Sequence, residues 1–491
     1  MKQPDSVKRG EFSTPPFFKK SLAVFIVLFV TGAAFASGAD LKQGDTGRTV
    51  KTTLTIDEAI DMAMRQNRDI TNSKYNVQSQ RYSVDASQAL FDLKLIPTGS
   101  VSLSGGDASG YNYTAAGVQL QKKLEYGTTV SVGPQVTRSS NLESGERYTT
   151  DMGVTITQPL LKGVGKEITT NSVQTAEAAY KTSLRNVYQT KANTMLETIS
   201  AYYDAVRQMG MLQLYENLET RLKGHAEIAR AREKVGVSTP MDTYRAEIPL
   251  RETEDAMIKV SESIQNAKDK IKFILALPQD MELELTVPEE PEAMKLSLND
   301  AIDTAIKERI EIEQMNQDIA EAERKAEVMK DNILPELNLV LRYGRYATAD
   351  RVDISRGLNL DRYSISVQMG SDIFRTAEKA AYNQSLISIK TLKTSMAAKR
   401  EDISWQVRKQ WLALQEAVKR MEIRKAQIKQ GEEKLALAEV KFTHGMADNF
   451  DVIEAEKELQ NARVNLLDAG IEYAIGNYNL KAILGTLVPR N

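Results

Sequence analysis

The chain has 491 residues, and its 64 Lys and Arg against 66 Asp and Glu give a formal net charge of −2. This balance does not support a nucleic-acid-binding surface, because such surfaces are strongly basic. There is no cysteine. That excludes disulfides, thiol nucleophiles, cysteine-bound metals and a lipid-modified N-terminal cysteine.

Residues suited to catalysis are few. The two histidines, His225 and His444, have no ligand-like spacing, and we expect both side chains to be solvated. The segment Gly163-Val164-Gly165-Lys166 resembles part of a phosphate-binding loop, but Leu160 and Glu167 break the required pattern. We expect these glycines to let a strand turn into a helix, and we expect no enzyme, no cofactor and no metal site.

The first 36 residues have the pattern of an export signal. Lys19-Lys20 precede an apolar run from Leu22 to Val30, and Ala34-Phe35-Ala36 fits a cleavage site. The sequence therefore predicts a signal peptide at 1–36, with a retained anchor helix as the alternative. No later segment has 18 consecutive apolar residues, so any membrane-spanning part is expected to consist of strands.

After a polar segment, the sequence predicts one helix over 55–95. Thr55 and Glu58 have the spacing of a reciprocal capping box. Pro97 is expected to stop the helix, because proline cannot continue it.

Between 97 and 162 the periodicity changes from 3.6 to 2. Four predicted strands place apolar residues on one face and Ser, Thr, Gln or Gly on the other: about 99–105, 116–124, 128–137 and 151–160. Two such faces suit strands with lipid on one side and water on the other. A soluble sandwich with one buried face is the alternative. Aromatic residues that could form interfacial girdles favour the membrane: Tyr111, Tyr113, Tyr148, Tyr346 and Phe374.

The next two segments predict a long helical hairpin. Its first helix runs from about Lys166 to Val235 and would be roughly 100 Å long at ~1.5 Å per residue. Gly236 and Pro240 bracket the turn, and the second helix runs from about Met241 to Leu277. A Pro- and Glu-rich connector follows at 278–295.

The rest of the chain repeats this scheme. We predict a helix from Ser297 that Pro335 stops, two strands within 335–373, a very long helix from about Thr376 to Thr443 and a last helix that ends near Gly485. The second half therefore has two strand segments where the first half has four.

Sequence motifs confirm that the chain contains one unit twice. The segment 54–63 recurs 242 positions later, whereas the segment 235–247 recurs 209 positions later. The two offsets differ by 33 residues, which places an insertion in the first copy. The predicted domains are a signal peptide at 1–36, a first repeat at 37–277, a connector at 278–295 and a second repeat at 296–491.

Several motifs, in order, resemble the TolC-type outer-membrane efflux family over 54–487. They are LTIDEAIDMAMRQN from Leu54, ITQPLLKG from Ile156, VGVSTPMDTYRAEIPLRETEDA from Val235, and the segment His444–Leu487. The resemblance implies a mixed α and β membrane protein that forms a homotrimer in outer-membrane lipid. Strands of three protomers would close one transmembrane β-barrel, and their helices would form a long periplasmic α-helical barrel. A periplasmic adaptor would link this duct to an inner-membrane pump.

The resemblance also assigns a gate to the start of the last helix. Asp451 and Glu454 lie three apart on one helix face, and the family has acidic gating residues at these positions, with Asp242 as the counterpart in the first repeat. The alternative is that they are ordinary helix N-terminal acids. Some members have a basic residue and a tyrosine where this chain has Ala447 and Phe442, so a salt-bridged closed state is not predicted.

The two hairpin tips are the predicted adaptor-docking surface, because long helices reverse only there. This surface comprises Gly236, Val237, Ser238, Thr239, Pro240, Met241, Gly445, Met446 and Ala447.

The leading functional hypothesis is an outer-membrane exit duct for passive transport of small solutes or drugs in a tripartite efflux system. The same channel serving one-step protein secretion is one alternative, and a non-conducting exported coiled-coil trimer is another. Six strands per protomer would give 18 in a trimer, against 12 for the usual family barrel. A 12-stranded barrel with the excess folded as an external hairpin remains open.

Overall fold

The computed structural model describes residues 52–104, 111–141, 145–288 and 296–490. The predicted signal peptide lies outside these residues. The first repeat contains β1 (Thr52–Leu54), α1 (Ile56–Gln66), α2 (Arg68–Gln88), β2 (Lys94–Ser104), β3 (Tyr111–Lys123), β4 (Thr129–Asn141), β5 (Gly145–Pro159), α3 (Lys166–Thr169), α4 (Asn171–Lys234) and α5 (Pro240–Ile274). The connector contains β6 (Leu283–Leu285), which pairs in parallel with β1.

The second repeat has the same order of elements with fewer strands. It contains α6 (Leu298–Glu308), α7 (Ile310–Asp331), β7 (Glu336–Ala349), α8 (Val352–Ser355), β8 (Leu360–Gly370), α9 (Thr376–Thr443) and α10 (Asn449–Ile483). The predicted bounds of α9 are confirmed, and its 68 residues extend about 100 Å at ~1.5 Å per residue. None of the helices in the described residues has both the length and the apolar composition needed to cross a bilayer.

The prediction of one helix over 55–95 is wrong. Asn67 leaves the helical conformation, and its side-chain oxygen accepts hydrogen bonds from the amides of Asp69 and Ile70, so α2 starts anew there. Helix α2 ends at Gln88, and Pro97 lies inside β2 instead of stopping a helix. Proline is found mainly in edge strands, and within one protomer β2 is an edge strand. The helix predicted from Ser297 is also divided, at Arg309, whose backbone is extended and whose side chain does not cap α7.

The two repeats pack equivalent cores where their short and long helices meet. In the first repeat, Ala59 and Ala63 of α1 are buried against α4. In the second, Ala301 and Ala305 of α6 are buried against α9. These alanines are 242 positions apart, the offset of the repeated motif. The sequence repeat is therefore also a structural repeat.

All six longer strands form one antiparallel sheet in the order β2-β3-β4-β5-β7-β8. The pairing of β5 with β7 joins the repeats and sets Gly153 opposite Gly344. The six predicted strands are confirmed, but β3, β4 and β5 extend beyond the predicted bounds of about 116–124, 128–137 and 151–160. Strand β3 begins at Tyr111, and only residues 142–144 separate β4 from β5.

One face of this sheet is apolar, and it is the more exposed face. On β3, Val118 and Leu120 of the apolar face are 42% and 43% exposed, whereas Gln119 and Gln121 on the opposite face are half-buried. A soluble sandwich would bury the apolar side chains, so that alternative is wrong. An exposed apolar face opposed to a half-buried polar face is typical of strands in a membrane.

The prediction of aromatic girdles holds for some residues only. Tyr148 lies on the apolar face, but Tyr113 and Tyr346 pair with Ser139 and Asp151 on the polar face. The side chain of Tyr111 lies outside the described part of the chain. Two tyrosines that the sequence reading did not select, Tyr343 and Tyr363, pair with each other on the apolar face. Phe374 is exposed just beyond β8.

Candidate gate and docking surface at the hairpin tips

Both long hairpins reverse at a glycine in the left-handed conformation. Gly236 has φ +72°, and the Val237 amide donates to the Arg232 carbonyl at 2.9 Å. Gly445 has φ +74°, and the Met446 amide donates to the Lys441 carbonyl at 2.8 Å. These bonds close the last turns of α4 and α9, and glycine adopts this φ without steric cost.

The helices that leave the tips begin with matching acidic caps. The Thr239 amide and hydroxyl each donate to the Asp242 carboxylate at 2.9 Å. These bonds hold the pKa of Asp242 below its ordinary value. At the second tip, Asp448 and Asp451 exchange reciprocal backbone-to-carboxylate bonds of 3.2 and 3.1 Å. Asp242 and Asp451 therefore both stabilise helix starts.

Asp451 and Glu454 are both exposed near the start of α10. Glu454 follows Asp451 by three positions, so the two carboxylates share one face of the helix. The sequence reading missed Asp448, the N-cap, whose side chain adds a third acid to this tip. The carboxylates concentrate negative charge at the end of the second hairpin.

The predicted docking surface is largely exposed. Val237, Met241 and Met446 are exposed apolar side chains, while Ser238 and Ala447 are half-buried. The remaining members, Gly236, Thr239, Pro240 and Gly445, are exposed. Both tips thus present apolar groups beside small residues, a composition that suits protein binding.

The second hairpin is held against the first by a buried ion pair that the sequence reading did not predict. Arg221 of α4 donates from Nη1 to Oε1 of Glu456 in α10 at 2.8 Å. The Glu456 side chain is only 4% exposed, and this carboxylate raises the pKa of Arg221. A charge buried this deeply requires its partner. The two hairpins are therefore salt-bridged, although not through the positions of Ala447 and Phe442.

Further contacts between the hairpins lie around this pair. His225 Nδ1 lies 3.0 Å from Asn449 Oδ1, and the Asn449 amide group donates to the His225 carbonyl at 3.1 Å. The expectation of a solvated His225 is therefore wrong. Lys457 of α10 forms an ion pair with Glu252 of α5 at 2.9 Å.

Two aromatic rings complete the contact. The Arg232 guanidinium lies 4.4 Å from the centre of the Phe442 ring, and that of Arg245 lies 5.6 Å from the Phe450 ring. Each cation belongs to the first hairpin and each ring to the second, so these are attractive contacts between the two.

One sequence signal could have revealed Glu456. It lies in the buried stripe of α10 with Val452, Ala455 and Leu459, where the helical period places apolar residues. An acid in such a stripe is expected to have a basic partner.

Comparisons with known proteins agree with this architecture. The profile of the outer membrane efflux protein family matches residues 59–277 and 301–486. The chain is 21% identical over 403 residues to the outer membrane efflux protein BepC of Brucella suis biovar 1 (strain 1330), a match that covers 79% of this chain and 85% of BepC.

Two solved structures share the fold of mixed helices and strands. CusC matches with a TM-score of 0.70 and 14% identity over 91% of this chain and 95% of CusC. The outer membrane channel CmeC of Campylobacter jejuni matches with a TM-score of 0.69 and 12% identity, over 88% of this chain and 86% of CmeC. These relatives are channels and not enzymes. The chain belongs to the outer membrane efflux protein family.

Proposed function

We propose that the chain is the outer-membrane exit duct of a tripartite efflux system. It works as a homotrimer with a periplasmic adaptor and an inner-membrane pump, and it passes small solutes or drugs without using energy itself. One observation carries this proposal. The same chain joins a sheet with an exposed apolar face to helices about 100 Å long, whose hairpin tips lie at the far end.

Passive transport agrees with the role of the glycine-rich segment after β5. Gly163 has φ +82° and Gly165 has φ +102°, and the two lie between β5 and α3. These glycines turn a strand into a helix, as the sequence predicts. The driving force for transport would then come from the pump.

The acids of the second tip would form the selectivity filter. In a threefold assembly, Asp451 and Glu454 contribute six carboxylates, and a ring of carboxylates favours cations in a narrow pore. The contacts of α10 with α4 and α5 would hold this gate in the conformation of the structure.

The adaptor would dock at the tips, where Val237, Met241 and Met446 are exposed. Replacing Ser238 or Ala447 by Trp should abolish solute export while trimer yield and conductance stay unchanged. The matched variants Ser238→Thr and Ala447→Ser keep small side chains and should export normally. Normal export by both Trp variants would exclude this surface.

The channel itself is tested with the purified protein in planar bilayers. We expect stepwise ion conductance and a trimer in mild detergent. Deletion of the gene should cause retention of exported solutes, and the intact chain should restore export. A trimer without conductance would instead support the structural alternative, and a monomer would exclude the channel.

A further inference from the structure

We infer that each protomer contributes all six strands of its sheet to an 18-stranded membrane barrel, whose edge strands β2 and β8 pair between neighbouring protomers. The inference rests on the proposed homotrimer. It departs from the 12-stranded barrel that the family resemblance implies, and it makes the membrane pore wider.

The additional strands share the apolar face of the others. Val118 of β3 lies opposite Pro97 of β2, and Val132 of β4 lies opposite Val154 of β5. Directly opposed residues in an antiparallel sheet project to the same side. The apolar face therefore continues without interruption through β3 and β4, as it would if both strands faced lipid.

The turn between β3 and β4 lies at the helical end of the sheet. The Leu124 amide donates to the Thr128 carbonyl at 2.8 Å, which closes the turn. Glu125 in this turn forms a 2.7 Å ion pair with Lys166 at the start of α3. An external hairpin would have its turn at the opposite end, so the structure opposes that arrangement.

Every strand is long enough to cross a bilayer. The lengths are 11, 13, 13, 15, 14 and 11 residues in the order of the sheet, and a tilted membrane strand needs about 9–11 residues. Strands β3 and β4 meet this requirement as well as β7 and β8 do.

Cross-strand ion pairs follow the apolar stretch in both repeats. Arg138 of β4 pairs with Glu146 of β5, and Arg345 of β7 pairs with Asp361 of β8. On this face, each pair lies beyond the last large apolar side chain of its strands, at the end away from the helices. Charges at this level are expected where strands leave the hydrocarbon.

The sheet cannot remain open in a membrane. Within the described part of the chain, β2 pairs with β3 alone and β8 with β7 alone, so each has one edge without a partner strand there. Lipid offers no hydrogen bonds to such groups. With six alternating strands, β8 of one copy runs antiparallel to β2 of the next, and both are 11 residues long. A second copy of this chain is therefore the partner of each edge.

The strand number sets the width of the pore. With strands about 4.8 Å apart and tilted by about 40°, 18 strands close at a backbone diameter of about 36 Å, against about 24 Å for 12 strands. The polar face would line this lumen. Selection by size would then occur at the helical tips and not in the membrane.

Single cysteines carrying a fluorophore distinguish the two barrels, because the chain has no cysteine of its own. Val118→Cys and Val132→Cys place the label on the apolar face of β3 and β4. The adjacent Gln119→Cys and Ser131→Cys place it on the polar face. Labelled trimers are reconstituted into vesicles of bromine-labelled phospholipid, which quenches fluorophores that contact the acyl chains.

We expect strong quenching at positions 118 and 132, equal to that of reference labels at Val101 of β2 and Ile365 of β8, and weak quenching at 119 and 131. Quenching at the two reference positions but not at 118 and 132 would overturn the 18-stranded barrel and leave the channel intact. Loss of quenching at the reference positions as well would overturn the proposed function itself.

Discussion

The two repeats close the same core with different side chains. In the first, the Tyr202 hydroxyl lies 2.8 Å from the carbonyl oxygen of Leu54. In the second, the ring N–H of Trp411 donates to the carbonyl of Leu296 at 3.1 Å. These residues occupy equivalent positions, at the offsets of 209 and 242. The fold therefore requires an aromatic donor at this place, but not a particular one.

The hairpin tips have diverged much further than the cores. Ile453 in α10 is 1% exposed and packs into the core of the first hairpin, whereas its counterpart Tyr244 in α5 is 59% exposed. The face of α10 that carries Ile453 packs on the first hairpin, whereas the face of α5 that carries Tyr244 is exposed to solvent. The same position is therefore solvent-exposed in the first repeat and forms a contact between the hairpins in the second.

Charged residues show the same difference. Glu456 binds Arg221 across the two hairpins, but its counterpart Glu247 binds Arg230 within the first hairpin at 2.6 Å. The Glu247 side chain is 29% exposed, against 4% for Glu456. The Glu247 pair thus joins the two helices of one hairpin, whereas the Glu456 pair joins the two hairpins.

The largest effect is expected from disrupting the pairing of β5 with β7, which joins the two repeats. A Cβ atom at Gly344 would lie 2.9 Å from the backbone of both Gly153 and Met152. Gly344→Val should cost at least about 1–3 kcal/mol, because backbone atoms cannot move aside as side chains can. We expect most of the protein to fail to form the folded trimer. The fraction of trimer is measured by electrophoresis of unheated samples.

Gly370→Val is the matched control in the same repeat. Gly370 ends β8, and an added Cβ meets nothing within 4 Å. This variant should assemble normally. Equal trimer yields from the two variants would show that β5 and β7 are not paired as closely as the structure shows.

The second largest effect is expected from breaking the ion pair that holds the second hairpin against the first. Arg221→Ala leaves the buried Glu456 carboxylate without its partner. Removing one partner of a fully buried pair costs about 3–5 kcal/mol, and Arg221 is 42% exposed, so about 1.4 kcal/mol is a reasonable expectation. That energy changes the equilibrium constant between the closed and the open tip roughly tenfold in favour of the open tip. Single-channel conductance should therefore rise.

Arg230→Ala removes the equivalent pair within the first hairpin. Since that pair does not join the two hairpins, conductance should stay near that of the unaltered protein. A rise of similar size in both variants would mean that general loosening of the helices, and not the contact across hairpins, controls the pore.

The sequence predicted the repeated helices and strands because their periods are long and uninterrupted. The approximate bounds predicted for α9 agree with the structure, and all six strands were found from alternation alone. The break at Asn67 was missed because it depends on a side chain that caps α2. Pro97 misled the prediction because an edge strand accepts proline.

The site was less predictable than the fold. The tips were found because Gly236 and Gly445 interrupt two otherwise continuous helices. The partner of Glu456 lies 235 positions away, and no local pattern connects them. The family resemblance indicated a salt-bridged closed state that Ala447 and Phe442 do not support, and it gave no sign of the pair between Arg221 and Glu456.

A smaller effect is expected from neutralising the second tip. Asp451 and Glu454 correspond to Asp242 and Arg245 in the first repeat, so only the second tip has two acids at these positions. Asp451→Asn with Glu454→Gln should lower cation selectivity, measured by the reversal potential in a salt gradient. Asp242→Asn removes an equivalent capping acid and should leave selectivity nearly unchanged. An identical reversal potential in the unaltered protein and both variants would show that these acids do not line the pore.

The smallest effect is expected at the capping box of α1. The Glu58 carboxylate accepts hydrogen bonds of 2.9 Å from both the backbone amide and the hydroxyl of Thr55. The hydrogen bond from the amide is the main cause that lowers the pKa of Glu58. In the second repeat, the shorter Asp300 accepts a 2.6 Å bond from the Ser297 hydroxyl.

Glu58→Ala should therefore lower the unfolding temperature slightly more than Asp300→Ala at neutral pH. A lowered pKa means that the folded state favours the charged carboxylate. The contribution is thus fully present above the ordinary pKa of 4.5 and is lost as the pH falls through the lowered value. The difference between Glu58→Ala and the unaltered protein should disappear over that acidic range. A difference that persists below it would mean that side-chain packing, and not the charge, makes the contribution of Glu58.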